Sequence, residues 1–382
     1  MKTYFLDQGE FVGGAECFLL DFLATFEASD FRQLRPVLLG GEADRYRQSL
    51  PERVEVVDFL FPPVRGNMFK KILACGAILK AAWKLKKITK TEKKVQFFTN
   101  TPRTHFVMWV AKRFFGIKGK WVVMFHDFTT PPKIIQLMSP QADILIANSI
   151  PTRGFLRDAL LEKYYDKIRI VENGVEVEKM PDVAAPKEIK KALVLGRVDP
   201  RKGQLYALQA ADLLLERNPD VHFSIVGSAV ETDGSTQSYA QECQNLVISR
   251  GLNNMTFYDE VTDPYRVIAE HDLVLFLATE PETFGRVVVE ALSLRRPVIA
   301  FEQTGPREIL ENFYRYLGKN GVAMKTNPFL VESNNAMSLA EQIGYFADKP
   351  TEILKTSQVS RDFVSQNYPL SDTKKRLLEI LG

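Results

Sequence analysis

Short, continuously apolar runs alternate along the whole chain with longer stretches in which apolar positions recur every three or four residues. The short runs, such as Ile144–Ala147, lack polar alternation, which is typical of strands buried on both faces of a sheet. The longer stretches, such as His105–Phe115, predict helices. Alternation of the two predicts right-handed βαβ units and parallel sheets. The predicted strands are Thr3–Leu6, Pro36–Leu39, Val54–Phe59, Val95–Thr99, Trp121–Phe125, Ile144–Ala147, Ile168–Val171, Ala192–Leu195, His222–Val226, Met255–Phe257, Leu273–Leu277, Pro297–Phe301 and Val322–Lys325.

One stretch without periodicity divides this pattern in two. Residues 176–191 contain Pro181 and Pro186 and predict a linker between two doubly wound domains. We therefore predict an N-terminal domain over residues 1–178 and a C-terminal domain over residues 190–364, with a C-terminal helix over residues 365–382 that can pack back on the first domain. Ligands of such sheets bind beyond the carboxyl ends of the strands, so two facing domains predict a ligand cleft.

Composition excludes several classes of protein. The chain has 382 residues, of which 45% are hydrophobic and 25% charged, which is typical of a globular protein with two domains. Three widely spaced cysteines (Cys17, Cys75 and Cys243) indicate neither a disulfide framework nor a zinc site, and favour a reducing compartment. No apolar run approaches the roughly 18 residues of a membrane span, and the start lacks a signal-peptide pattern. We therefore expect a cytoplasmic location.

The net charge of +3 is unevenly distributed. Residues 1–180 carry a net charge of +8, and the stretch Arg65–Lys94 contains ten basic residues against the single acid Glu92. A helix drawn over Phe69–Lys94 places Ile72, Leu79 and Trp83 on one stripe and most lysines off it. This pattern allows an interfacial membrane helix or a core-facing helix with a solvated outer face. Nucleic-acid binding is a weaker third interpretation, because no matching fold signal accompanies it.

The strongest candidate chemistry lies in EPETFGRVVVEAL, residues 280–292, where a strand leads into a helix. Gly285 allows close approach of a ligand to the backbone, and the first turn of the helix offers unpaired N–H groups to a phosphate or a sugar hydroxyl. Glu282 lies in the loop, and Glu290 follows eight residues later. The alternatives are that Glu282 is a solvated loop acid and that Glu290 pairs with Arg286 on a surface.

Two cations follow an earlier strand in ALVLGRVDPRKG, residues 192–203. Arg197 and Lys202 at the carboxyl end of a strand suit a diphosphate whose charge is neutralised without a metal. A solvated basic turn is the alternative, and we assign Arg201 to it.

The first half offers a glycine loop and one histidine. Gly13 and Gly14 can present backbone N–H groups to a ligand at a helix start, and His126 ends a buried strand where it can project towards a substrate. The alternative for His126 is a hydrogen-bonded, partly buried side chain. A dinucleotide oxidoreductase is disfavoured, because the glycines do not form G-x-G-x-x-G and the second strand ends without an acid. Neither a Walker loop nor a nucleophile elbow occurs, and the scattered histidines predict no metal site.

Taken in order, these motifs resemble the GT-B glycosyltransferases of glycosyltransferase family 4, and the resemblance covers nearly the whole chain. The Glu282-to-Glu290 spacing is the family's E-x7-E pattern. The matching segments are GGAE (13–16), HD (126–127), ANS (147–149), ENGV (172–175), LGR with RKG (195–203), IVG (225–227) and EPETFGRVVVEAL (280–292).

The resemblance implies an α/β protein of GT-B fold, with two Rossmann-like domains facing across a cleft. It also implies residue roles. The catalytic residues would be Glu282, at the donor sugar hydroxyls, and His126. The donor-binding residues would be Arg197 and Lys202 on the diphosphate, Glu290 on the ribose, the backbone of Thr283, Phe284 and Gly285, and the Gly13–Gly14 loop.

The resemblance further implies a retaining, metal-independent enzyme that needs no cofactor and moves a hexosyl or related group from a nucleotide diphosphate sugar. The expected acceptor is a membrane-surface or lipid-linked glycan in surface polysaccharide synthesis. The basic stretch Arg65–Lys94 allows peripheral contact of a cytoplasmic protein with the inner face of the cell membrane. The alternatives are a soluble transferase for a small-molecule or protein acceptor, and a catalytically silent nucleotide-sugar or glycan-binding protein. Nucleic acid is not an expected partner.

Overall fold

The computed structural model of the chain describes residues 1–7, 13–40, 50–59, 68–90, 92, 94–229 and 234–382, without the side chains of residues 68–73 and 234–237. The chain divides into two compact units. Unit 1 comprises Met1–Gly174 together with Leu370–Gly382, and unit 2 comprises Val175–Pro369.

Unit 1 is built on a seven-stranded sheet in which every pair of neighbouring strands is parallel. The strand order is β3-β2-β1-β4-β5-β6-β7, so the direction of winding reverses between β1 and β4. Most strands are fully buried, as their continuous apolar sequences predict. The strands are β1 Lys2–Leu6, β2 Pro36–Gly40, β3 Glu55–Asp58, β4 Val95–Thr99, β5 Lys120–Phe125, β6 Ile144–Ala147 and β7 Ile168–Ile170.

Helices pack on this sheet to form two apolar clusters. The C-terminal helix closes one of them, because Leu377 and Leu381 are buried among residues of the first helix and the sheet. Its Lys374 also pairs with Asp30, with 2.9 Å between Nζ and Oδ2. The helices of unit 1 are α1 Gly14–Ala24, α2 Ala28–Leu34, α3 Met68–Thr89, α4 Pro102–Phe115, α5 Pro132–Met138, α6 Ile150–Ala159 and α14 Leu370–Leu381, with a 3₁₀ turn at Glu162–Lys167.

Unit 2 contains a six-stranded parallel sheet in the order β10-β9-β8-β11-β12-β13, in which the winding reverses between β8 and β11. One continuous apolar core fills both faces. The strands are β8 Lys191–Leu195, β9 His222–Val226, β10 Met255–Tyr258, β11 Leu273–Phe276, β12 Val298–Phe301 and β13 Leu330–Val331. The helices are α7 Gln204–Leu214, α8 Gly234–Arg250, α9 Pro264–Ala269, α10 Arg286–Ser293, α11 Thr304–Lys319, α12 Ala336–Asp348 and α13 Pro350–Asn367, with 3₁₀ turns at Val177–Lys179 and Pro200–Lys202.

The prediction of a strand at Val322–Lys325 is wrong. Helix α11 ends at Lys319, two residues before Gly321, whose φ of 77° lies in the left-handed region, and the Val322 amide donates to Leu317 O (2.9 Å). This helix-terminal bond holds the apolar segment against the core without a strand neighbour. The edge strand forms instead at Leu330–Val331, which pairs with Ala300 and Phe301.

The segment predicted to be a linker, residues 176–191, belongs to unit 2. A single guanidinium, that of Arg361, donates to four carbonyl oxygens, which belong to Val177, Met180, Pro181 and Ser293. The chain passes between the units beside Val175 and Pro369, which form an isolated parallel bridge. Prolines without apolar periodicity therefore mark an ordered, hydrogen-bonded segment in this chain.

Candidate functional site

Lys202 and Glu282 form an ion pair at the carboxyl edge of the unit 2 sheet. Lys202 ends the 3₁₀ turn after β8, and Glu282 lies in the loop after β11. The Lys202 Nζ donates to Glu282 Oε1, and the two side chains are 29% and 32% exposed. Because β8 and β11 flank the reversal of winding, the pair lies where doubly wound sheets bind ligands. The structure thus brings together two residues that the sequence predicts to share a site.

Backbone contacts hold the two loops against each other. Gly203 has a φ of 69°, and a Cβ there would lie 2.1 Å from Leu277 O, so only glycine allows this approach. The Thr279 amide donates to Arg201 O (3.0 Å), and its hydroxyl donates to Pro200 O (3.2 Å). The position of Lys202 relative to the β11 loop is therefore set by the backbone.

Asp199 is a structural residue of this edge that the sequence analysis missed. Its carboxylate accepts from the Arg201 amide and, in a two-pronged pair, from the Arg201 guanidinium (2.9, 3.0 and 2.8 Å). Burial opposes ionisation, but these hydrogen bonds outweigh it and hold the pKa of Asp199 below its ordinary value. Arg201 is half-exposed and pairs within its own turn, so it shapes the loop that carries Lys202.

The loop Glu282–Gly285 rests on the start of α11. Glu282 O accepts from the Gly305 amide (2.9 Å) and from the Thr304 hydroxyl (2.6 Å). A Cβ on Gly305 would lie 2.5 Å from the Phe284 amide nitrogen. Gly285 itself has a φ of 94° and opens α10. Thr283 and Phe284 are buried, and contact between the backbone of this loop and a donor stays a prediction.

Glu290 pairs with Arg286, with 2.6 Å between Glu290 Oε1 and Arg286 Nε. The side chains are only 8% and 12% exposed, so this is not the solvated surface pair that the spacing also allowed. Arg286 also donates to the Tyr265 hydroxyl (3.4 Å) on α9. The pair therefore sets the direction of the Glu290 carboxylate from a partly enclosed position, while its contact with a ribose stays a prediction.

Arg197 follows directly after β8 and Gly196. Its carbonyl accepts from the Gln204 side chain (2.8 Å), which ties it to the start of α7. Gly227, at the end of β9, has a φ of 143°, and a Cβ there would lie 2.1 Å from Gly196 O. Arg197 is half-buried at the carboxyl edge of the sheet, where the sequence predicts it.

In unit 1, Gly13 caps helix α1, and Gly14 is its first residue. The Gly13 amide donates to the Glu16 carboxylate (2.9 Å), so in this structure an acid of the same helix occupies that N–H. The segment 8–12, which precedes Gly13 in the predicted loop, lies outside the described residues.

His126 follows β5 and belongs to a hydrogen-bonded row along the carboxyl edge of the unit 1 sheet. Its Nε2 lies 2.9 Å from Asn100 Oδ1, and Asn100 Nδ2 donates to Asp7 Oδ2 (3.1 Å). Burial lowers the pKa of His126 to about 3, so the ring is neutral at physiological pH. Sequence analysis missed Asn100 and Asp7, although both directly follow predicted strands.

Comparison with known proteins places these features in context. Residues 176–361 match the family model described as glycosyl transferases group 1. The chain is 25% identical over 229 residues to D-inositol 3-phosphate glycosyltransferase of Streptomyces scabiei, covering 55% of this chain and 47% of that protein. It is 30% identical over 206 residues to phosphatidyl-myo-inositol mannosyltransferase of Mycobacterium tuberculosis, covering 51% and 52%. The chain thus spans about half the length of these curated relatives.

Solved structures match over the full length. Anabaena Alr3699/HepE, solved in complex with UDP-glucose, superposes with a TM-score of 0.79 at 21% identity, covering 100% of this chain and 99% of that one. Sucrose-phosphate synthase from Thermosynechococcus elongatus superposes with a TM-score of 0.76 at 15% identity, covering 99% and 98%. These matches confirm the α/β class and the GT-B fold.

Proposed function

We propose that this chain, whose residues 176–361 match the model of the group 1 glycosyl transferases, is a retaining glycosyltransferase that takes a hexosyl or related group from a nucleotide diphosphate sugar. The observation that carries the proposal is the Lys202–Glu282 pair, held at the reversal of winding of the sheet in the family domain. An anion-binding cation and a sugar-binding carboxylate are the two groups that such a donor requires at adjacent positions.

In this proposal, Lys202 and Arg197 bind the diphosphate. The donor replaces Glu282 as the partner of the Lys202 ammonium, and the Glu282 carboxylate then accepts hydrogen bonds from the sugar hydroxyls. Glu290, aligned by Arg286, accepts from the ribose. The backbone of the Thr283–Gly285 loop contributes close contacts that side chains would obstruct.

Transfer then proceeds on the face from which the diphosphate leaves. The acceptor oxygen bonds to the anomeric carbon as the bond from that carbon to the diphosphate oxygen breaks, and the diphosphate takes the acceptor proton. Lys202 and Arg197 stabilise the negative charge that develops on the leaving group, without a metal. His126 and the Gly13–Gly14 loop would contact the donor sugar or the acceptor. Attack on the same face retains the anomeric configuration.

The base of the nucleotide is tested by a donor panel. The Anabaena protein was solved with UDP and with UDP-glucose, which makes uridine the first candidate. UDP-, GDP-, ADP- and dTDP-sugars should be compared for thermal stabilisation and for turnover, since a ligand that binds only the folded state raises the melting temperature. We expect one base to stabilise the protein and its sugar to be transferred or hydrolysed. Stabilisation without turnover, with acceptors supplied, would favour the silent binding protein. The absence of both stabilisation and turnover with every donor would refute the proposal.

We further propose that the acceptor is lipid-linked or lies at a membrane surface. The mycobacterial relative is named a phosphatidyl-myo-inositol mannosyltransferase. In unit 1, Leu79 and Trp83 project outward from α3, with 49% and 48% of each exposed, while Ile78 and Leu85 are buried. The helix therefore covers the core with one face and presents apolar and basic side chains on the other, which is typical of an interfacial helix.

Basic and apolar side chains lie next to each other on the outer face of α3. The Lys87 ammonium lies 3.7 Å from the centre of the Trp83 ring. Phe114, 63% exposed, belongs to the neighbouring helix α4, to which Lys86 is tied through a hydrogen bond to Phe115 O (2.7 Å). Lys80, Lys84 and Lys90 are also exposed. Part of the predicted basic stretch is not described: Arg65, Lys93 and the side chains of Lys70, Lys71 and Ile72. No helix among the described residues is both long and apolar enough to cross a membrane.

Vesicle pelleting tests the membrane proposal. The protein should bind vesicles that contain anionic lipid, and binding should weaken with salt, because each basic residue near the surface contributes at most about 1 kcal/mol before screening. A variant with glutamine in place of four lysines of α3 should no longer bind these vesicles; the four are Lys80, Lys84, Lys86 and Lys87. The control has the same change in net charge and should still bind; it replaces the exposed lysines Lys133, Lys163, Lys187 and Lys375. Equal binding to neutral and anionic vesicles, or to neither, would favour the soluble-acceptor alternative.

A further inference from the structure

Three neighbouring strands of unit 1 end in polar residues that form one hydrogen-bonded row. Asp7 follows β1, Asn100 follows β4 and His126 follows β5, and these strands lie side by side in that order. The backbone N–H of Asn100 donates to Leu6 O (3.1 Å), which fixes Asn100 at the end of its strand. Asn100 and Asp7 are 1% and 0% exposed, so the middle and one end of the row are buried.

The surroundings of Asn100 determine which end of its side-chain amide faces the histidine. Two oxygen acceptors surround Nδ2, namely Asp7 Oδ2 at 3.1 Å and Ala15 O at 2.8 Å. These acceptors take both hydrogens of the amide nitrogen. Oδ1 therefore points to His126, and as an acceptor it requires a proton on the histidine Nε2 at 2.9 Å. The reversed amide would set two oxygens against Asp7 and Ala15.

We propose that Asn100 is a positioning residue, which holds the His126 ring in one orientation and in the Nε2-protonated tautomer. The edge of the Phe18 ring assists, with 5.0 Å between the ring centres and 62° between the planes. In this tautomer Nδ1 keeps its lone pair and is the acceptor end of the ring. The role of the ring in transfer rests on the proposed function, whereas its tautomer does not.

Burial keeps the imidazole neutral. Among the described residues, the titratable groups on the elements around His126 include Asp7 after β1, His105 on α4, the adjacent Asp127, and Glu16, Cys17 and Asp21 on α1. Asp7 is linked to the ring through the Asn100 amide. Asp127 accepts from the amides and hydroxyls of Thr129 and Thr130, and Glu16 accepts from the Gly13 amide. His126 thus serves as a hydrogen-bonding group, and the leaving diphosphate remains the acceptor of the proton.

Nitrogen NMR of the wild-type protein, labelled in its four histidines, tests the tautomer without substrate. A His126→Gln variant assigns the signals. We expect the His126 ring to have a protonated Nε2 and an unprotonated Nδ1 at every pH from 5 to 9. A proton on Nδ1, or titration with an ordinary histidine pKa, would overturn the proposal.

Two variants test the positioning role. Asn100→Ala should mix the tautomers and lower kcat about tenfold or more, with the donor KM changed less than twofold. Asn100→Asp keeps an acceptor for the ring but removes the donors to Asp7 and Ala15, and the added carboxylate should give kcat a new ionisation between pH 5 and 8. Asn254→Asp is the control, because Asn254 is a comparably buried amide of unit 2 that donates to Ala211 O (3.2 Å), and it should leave the pH profile unchanged.

The outcomes separate this proposal from the proposed function. Wild-type pH profiles and unchanged tautomers in both Asn100 variants would refute the positioning role. A wild-type protein that transfers no sugar from any donor, yet holds His126 as the Nε2-protonated tautomer, would refute the proposed function alone.

Discussion

Replacing Glu282 with glutamine separates sugar transfer from nucleotide binding. The substitution keeps the shape of the side chain and the Glu282 O hydrogen bonds that hold the loop, but it removes the charge opposite Lys202. In the proposed mechanism the carboxylate binds sugar hydroxyls during transfer. Loss of a polar contact that strengthens in the transition state costs roughly 10²–10³ in rate, so we expect kcat to fall by that factor.

The ion pair sets the expected change in nucleotide affinity. The Lys202 and Glu282 side chains are each about a third exposed, and ion pairs of this kind contribute about 0.2–1 kcal/mol. In Glu282→Gln, a nucleoside diphosphate no longer competes with that carboxylate for Lys202. We therefore expect its affinity to be unchanged or up to about fivefold tighter, and not weaker.

Calorimetric titration with the nucleoside diphosphate and initial-rate measurement of transfer test both expectations. Glu280→Gln is the matched control, because Glu280 precedes the same loop, is exposed and should be replaceable without loss of rate. A folded Glu282→Gln enzyme with near-native turnover would refute the assignment to the sugar. A tenfold loss of nucleotide affinity with an unchanged kcat would place Glu282 on the nucleotide instead.

Three further predictions follow from the same structure. Arg197→Ala and Lys202→Ala should each weaken nucleoside diphosphate binding by about tenfold or more. EDTA should leave wild-type activity intact, and a loss of activity with EDTA that magnesium restores would refute metal independence. Gly305→Ala forces a Cβ to within 2.5 Å of the Phe284 amide nitrogen, so it should lower kcat/KM at least tenfold and destabilise the protein by about 1–3 kcal/mol in urea unfolding, whereas Gly318→Ala, where a Cβ meets open space, should do neither. Burial lowers the pKa values of His105 and His126 to about 3, so the unfolded chain binds two protons that the folded one does not, and stability should fall by about 3 kcal/mol as the pH drops from 6.5 to 5. A His105→Gln variant should lose only about half as much over the same range.

Strands and strand ends were predictable from the sequence because they depend on local pattern. Twelve of the thirteen predicted strands form near their predicted positions, and Lys202 and Glu282 were both placed after the correct strands. The exception, Val322–Lys325, has the composition of an edge strand, but its first amide is bonded to the end of α11. Apolar composition cannot distinguish a strand from a segment packed against a helix end.

Hydrogen-bond partners were not predictable in the same way. The side chain of Asn100 is hydrogen-bonded to Asp7 and His126, which lie 93 and 26 positions away in the sequence. Nothing in the residues around Asn100 specifies those partners, because the order of strands in the sheet brings them together. The spacing of four between Arg286 and Glu290 did predict a pair, but only the packing of α10 shows that the pair is nearly buried.

The charges at the unit 2 edge are largely balanced before any donor arrives. Arg201 pairs with Asp199, Lys202 with Glu282 and Arg286 with Glu290. In the proposed mechanism an incoming diphosphate displaces a carboxylate to reach Lys202, so we expect a low affinity for inorganic anions that offer nothing to the released acid. A nucleotide sugar that binds as proposed would compensate by offering hydroxyls to Glu282. We therefore expect the site to prefer donors that carry both a diphosphate and a sugar over either part alone, with Glu282 contributing to selectivity as well as to rate.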